Sequence, residues 1–216
     1  MKQTTLTIVM LLFLAITTVR SSAQEATDTK PLEEVVVTGS KQKHKTLSNR
    51  GTRILGAIST LTPDKVGYEV GSALNVKHPF EVEEIEFFII SNSIKDVTLQ
   101  VAIYRDSTSA TLLPHPILVN IPDGKRQTIT VTPTERTLLE PGDYIVTITL
   151  ADCNEEIQQQ WTNSDQWDGQ TRYQMMTQQS LQFPLYMKAG QIRSNPDDAF
   201  ERCPVNIGLK VKGKRL

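Results

Sequence analysis

The sequence predicts an all-β fold, an antiparallel β-sandwich of jelly-roll type with an extended N-terminal arm. Three observations carry this. Apolar and polar residues alternate at period two through most of the chain beyond residue 54, the pattern of half-buried strands. Turn chemistry separates the runs, as in Pro122-Asp123-Gly124 and Pro141-Gly142-Asp143, where Pro fixes φ and Gly tolerates φ > 0. No window of a dozen residues carries a helical apolar stripe. About eight short strands in roughly 160 residues fit a sandwich.

The N-terminus precedes the fold. Lys2 is followed by a mostly apolar run over residues 6–16 and by the small residues Ser21-Ser22-Ala23. A positive start, an apolar middle and small residues before a cleavage point make residues 1–23 a secretory signal peptide. The apolar run is about half of the roughly 20 residues a membrane-spanning helix needs. Cleavage is therefore expected over anchoring, and no later stretch is apolar enough to span. It removes 23 of 216 residues and leaves 193, with 21 Lys+Arg against 24 Asp+Glu and a net charge of −3. Residues 24–53 hold a polar leader, an extended run with Val35, Val36 and Val37, and a basic linker with Lys41, Lys43, His44, Lys45, Arg50 and Arg53. The sandwich domain is expected over residues 54–216.

The strands follow in order. Tyr68, Val70, Leu74 and Val76 share a side of the first run. Ile85, Phe87 and Ile89 face away from Glu84 and Glu86 in the next. Val97, Leu99, Val101 and Ile103 alternate with Thr98, Gln100, Ala102 and Tyr104. Ile129 and Val131 alternate with threonines, and Tyr144, Val146, Ile148 and Leu150 with Ile145, Thr147 and Thr149. Val205, Ile207, Leu209 and Val211 form the last run, with shorter candidates at residues 117–121 and 181–187.

Residues 154–179 break this texture. They are rich in glutamine and carry both tryptophans, Trp161 and Trp167, together with Tyr173. The segment reads as a long excursion or an inserted hairpin, and loops of this size are often functional. Its run over residues 155–160 is expected to form no more than a turn or so of helix. The two cysteines, Cys153 and Cys203, lie at the edges of strand-like runs with no neighbouring His, Cys or CxxC partner. An exported chain permits a disulfide between them, which is expected over a metal pair or a reactive thiol.

Catalytic patterns are absent. There is no GxSxG nucleophile elbow, no HExxH and no phosphate-binding glycine loop. His44, His78 and His115 are scattered, and the last two precede prolines. Glu83, Glu84 and Glu86 read as a solvated strand face, and Asp197-Asp198 follows a turn. Asp165 and Asp168 lie near Gly169 but match no EF-hand spacing. No catalytic residue, metal site or cofactor is expected. The 23 basic and 24 acidic residues give no basic field for nucleic acid.

Two stretches look familiar. Pro31-Leu32-Glu33-Glu34-Val35-Val36-Val37-Thr38-Gly39 resembles the segment after carboxypeptidase-regulatory-like domains in Gram-negative envelope proteins. It is also similar to the region around the TonB box of TonB-dependent receptors. Gly67-Tyr68-Glu69-Val70-Gly71, then Val82-Glu83-Glu84-Ile85-Glu86-Phe87, then Val101-Ala102-Ile103-Tyr104, resemble the C-terminal β-sandwich unit of carboxypeptidase-like regulatory-domain-containing proteins. Pro141-Gly142-Asp143-Tyr144-Ile145-Val146-Thr147 fits the same pattern. The resemblance implies a periplasmic, outer-membrane or cell-surface setting and carries no catalytic residues.

The expected function is that of a non-catalytic accessory or binding module whose partner is an envelope protein or a glycan. Trp161, Trp167 and Tyr173 are its candidate contacts, because flat aromatics stack at low entropic cost; the alternative is that these rings pack the excursion onto the sandwich. A second expectation is docking through Val35, Val36 and Val37 by strand addition to an outer-membrane receptor or TonB. A carbohydrate-active enzyme ranks third. Contact of the basic linker with anionic lipid or polysaccharide ranks below these.

Overall fold

A computed structural model describes residues 44–105, 112–113 and 116–216. The signal peptide, the arm with Val35, Val36 and Val37, and His115 lie outside the described residues.

Among the described residues, thirteen strands form two antiparallel sheets. The first sheet holds β1 (His44–Ser48), β2 (Thr52–Leu61), β4 (Phe80–Asn92), β7 (Gly124–Val131), β8 (Thr137–Leu139), β10 (Leu181–Met187) and β13 (Lys210–Arg215). Its order is β1-β13-β4-β10-β2, and β7 and β8 occupy the opposite edge of β4. The second sheet holds β3 (Glu69–Val76), β5 (Val97–Arg105), β6 (Ile117–Ile121), β9 (Gly142–Asp152), β11 (Gly190–Arg193) and β12 (Glu201–Cys203). Its order is β12-β11-β3-β9-β5-β6. The chain crosses from sheet to sheet at most steps, as a sandwich with Greek-key connections requires.

The period-two runs are the inner faces. Val97, Leu99, Val101 and Ile103 of β5 and Val146, Ile148 and Leu150 of β9 are buried against Ile85, Phe87 and Ile89 of β4. One irregularity has a visible cause. Glu84 and Val82 of β4 pair with the consecutive residues Lys212 and Gly213 of β13, so Glu83 is the extra residue of a bulge. Gly213 is obligatory there, since a Cβ would lie 1.9 Å from the Glu81 carbonyl oxygen. The three glutamates meet a ladder of lysines. Lys210 pairs with Glu86, Lys212 with Glu86 at 2.8 Å and with Glu84 at 3.3 Å, and Lys214 with Glu83 at 2.7 Å.

Two sequence expectations are corrected here. Residues 44–53 are not linker: β1 pairs with β13 from His44↔Lys214 to Ser48↔Lys210, and β2 begins at Thr52. An edge strand tolerates polar, basic composition, and His44 finds Glu83 at 3.0 Å. The last strand begins at Lys210 instead of near Val205. Gly208 takes φ +71°, and the Asn206 side chain accepts from its N–H at 2.8 Å, so Ile207 and Leu209 are buried outside any strand.

Candidate functional site

Residues 154–179 leave the end of β9 and return at β10, and they are helical. Asn154 caps α1 (Glu155–Trp161) by accepting from the Ile157 N–H at 3.3 Å, with Glu155 and Glu156 in the first turn. A 3-10 turn (Ser164–Gln166) follows. Asp168 then caps α2 (Gly169–Gln178), accepting from the Thr171 N–H at 2.7 Å. That backbone hydrogen bond holds the Asp168 carboxyl below its ordinary value.

The three candidate aromatics separate. Trp161 is 1% exposed and donates its Nε1–H to Gln179 at 2.6 Å. Trp167 is half-buried and packs edge-on against Trp161, with ring centroids 4.9 Å apart. This pair is the small core of the excursion, and Trp161 leaves almost no surface exposed. Tyr173 stands apart from that ring pair at 69% exposure on α2.

The second helix is unusual. None of its residues is fully buried; Arg172, Met175 and Met176 are half-buried along one face, and an isolated helix of this length is marginal in water. It is also held at its ends. Arg172 donates to the Ser164 carbonyl at 3.3 Å and lies 3.5 Å from Asp64 and 3.7 Å from Asp165. At the other end, Gln179 links back to Trp161 and to Gln160 at 3.2 Å. Beside α1 lies a cleft of about 540 Å³ lined by Asp64, Lys65, Glu155, Gln158, Gln159 and Thr162.

A larger groove of about 800 Å³ opens at the strand ends near Asp96, Asp123 and Asp152. Two of its carboxylates have structural duties. Asp152 accepts from the Cys153 N–H at 2.8 Å and from Gln158 at 2.9 Å, and Asp96 accepts from Asn154 at 3.1 Å. Among the described residues no group of three or more His, Cys, Asp or Glu is arranged to hold a metal ion.

A buried charged cluster lies on the outer face of the second sheet. Glu69 (β3) and Arg193 (β11) face each other in register, 2.5 Å apart and 2% and 5% exposed. Glu69 also accepts from the Thr147 hydroxyl. Arg193 donates to the Tyr104 hydroxyl at 2.8 Å and to the Pro196 carbonyl at 2.7 Å. Its guanidinium lies 4.5 Å from the Phe200 ring centroid. Burial, reinforced by the Glu69 charge, pushes the Tyr104 phenol up to about 12. The cluster clasps the segment after β11 onto the sheet, and every polar group in it has a partner. Gly71 sits beside it because a Cβ would lie 2.7 Å from both Thr147 Cγ2 and the Val146 carbonyl oxygen. Sequence reasoning missed this cluster. Its one signal was a Glu and an Arg at alternating positions of strand-like runs.

The disulfide is corrected. Cys153 and Cys203 are both free thiols. Cys203 pairs with Gly190, Gly190 with Ser72, and Ser72 with Val146, which puts Cys203 three strands away from β9. At about 4.8 Å per strand and 3.3 Å per residue, Cys153 is then about 14 Å sideways and seven residues further along. A disulfide needs Cα atoms within about 7 Å. Burial pushes the Cys153 thiol up to about 11, which makes it a poor nucleophile.

No protein-family model matches the chain, and no curated protein matches it.

Proposed function

We propose that this chain is a non-catalytic, exported envelope protein, an accessory or binding module that makes its contact through the helical excursion between β9 and β10. The observation that carries this is α2, a helix that buries no residue fully and holds Tyr173 at 69% exposure. Packing of the half-buried Arg172, Met175 and Met176 accounts for one of its faces, whereas the opposite face with Tyr173 suits a rigid contact surface. The signal-peptide pattern of residues 1–23 and the resemblance to Gram-negative envelope proteins support the periplasmic, outer-membrane or cell-surface setting. No helix among the described residues is long and apolar enough to cross a membrane.

The test is fractionation of the native cell. The chain is expected to begin at Gln24 by mass spectrometry and to sediment with the isolated envelope. Tyr173→Ala is expected to release it into the soluble fraction without lowering its melting temperature. Release by deletion of residues 32–39 instead would favour strand addition to a receptor or TonB. Sedimentation indifferent to both changes would refute the contact role.

A further inference from the structure

We infer that the exposed face of α2 around Tyr173 binds a neutral, hydroxyl-rich polysaccharide chain; this rests on the excursion being the contact element. Seven residues of α2 are exposed: Gly169, Gln170, Thr171, Tyr173, Gln174, Thr177 and Gln178. None is ionisable except the tyrosine. The helix has a single charged side chain, Arg172, and it is engaged with Asp64 and Asp165. Exposed protein surface is ordinarily about a quarter to a third Lys, Arg, Glu and Asp. A solvent-facing helix with no free charge therefore matches an uncharged ligand and offers nothing to an anionic one.

The chemistry of the face narrows the class. Each glutamine amide both donates and accepts, which suits vicinal hydroxyls that do the same. The Tyr173 ring supplies the one flat apolar surface, complementary to the C–H face of a pyranose. Gly169, one turn before it, has open space where a Cβ would stand, with nothing within 4 Å, so one side of the patch is unobstructed. A protein partner fits less well. A peptide hot spot needs an aromatic ring seated among several apolar groups that exclude water, and on α2 Tyr173 is flanked by glutamine, threonine and a single apolar residue, the half-buried Met176. A convex helix also presents neither the sheet edge nor the groove that extended peptides use.

Native affinity electrophoresis of the full exported chain tests this, with galactomannan, xyloglucan or dextran in the gel and polygalacturonate as the anionic comparison. At least one neutral polymer is expected to retard the wild-type chain, and polygalacturonate is not. Tyr173→Ala should weaken the retardation roughly fivefold or more, while Tyr173→Trp should keep it. Retardation by no neutral polymer, by polygalacturonate alone, or equally in Tyr173→Ala overturns the inference. If envelope sedimentation depends on Tyr173 while no neutral polymer retards the chain, the contact element stands and its ligand is of another class. If sedimentation is indifferent too, the contact element itself has failed.

Discussion

Arg193 lies in a nearly dry part of the second sheet, with its donors given to Glu69, Tyr104 and the Pro196 carbonyl. A buried pair of this kind is costly to break on one side, because the remaining charge keeps its desolvation penalty without its partner. Arg193→Met is therefore expected to lower unfolding stability by about 3–5 kcal/mol in urea titration. The double variant Glu69→Leu/Arg193→Met should recover much of that loss, since two apolar groups of similar volume leave no orphaned charge. A single variant as stable as wild type would show the clasp to be dispensable. Residue identity alone was a weak guide to such roles. Glu69 and Arg193 are separated by 124 positions, and only strand register makes them neighbours. The same register parts Cys153 from Cys203, two residues whose count and expected compartment favoured a bond.

The excursion is the element whose character the periodicity concealed. Its second helix has only a short apolar stripe, the half-buried Met175 and Met176 beside Arg172, so the hydrophobic pattern was too brief to stand out. The legible signals were at its ends: Asn154 before two glutamates, and Asp168 three residues before Thr171. Strands with an inner face, β3, β4, β5, β9 and β10, were legible because burial on one side imposes alternation. Edge strands β1 and β12, with few buried residues, were not. Both tryptophans lie in the excursion, so tryptophan fluorescence reports on it alone. Trp161→Ala removes a side chain that is 1% exposed and should cost the excursion about 3 kcal/mol. Amide exchange over residues 155–178 is then expected to rise roughly a hundredfold, with red-shifted emission from Trp167, while the amides of β5 and β9 keep their protection. Equal loss of protection in the sheets would mean that excursion and sandwich unfold as one unit.

At the scale of the whole molecule, alkaline pH probes the fold. The Tyr104 phenol titrates at about 12 in the folded protein against an ordinary value of 10. Between these values the unfolded chain gives up this proton while the native chain keeps it. The stabilisation is full below pH 10 and is lost as pH rises towards 12, on the order of 2 kcal/mol. Lys212 and Lys214 act in the same direction. Their glutamate partners hold them above 10.5, so their ion pairs also fade over that range. Urea unfolding at steps from pH 9 to 12 should show stability falling, with a shallower fall in Tyr104→Phe. A flat profile would exclude a buried, neutral phenol in the native state.

The sequence by itself determined the sandwich, because a strand buried on one face must alternate and its turns must carry Pro, Gly and Asp. It determined as well that the excursion departs from that pattern. Tertiary structure alone decided what the chemistry-bearing residues do there. It put Trp161 in a small core and left Tyr173 outside, separated the two cysteines, and joined Glu69 to Arg193. Those outcomes depend on strand order and register, and both are set by how two sheets close on one core. Local composition does not encode them.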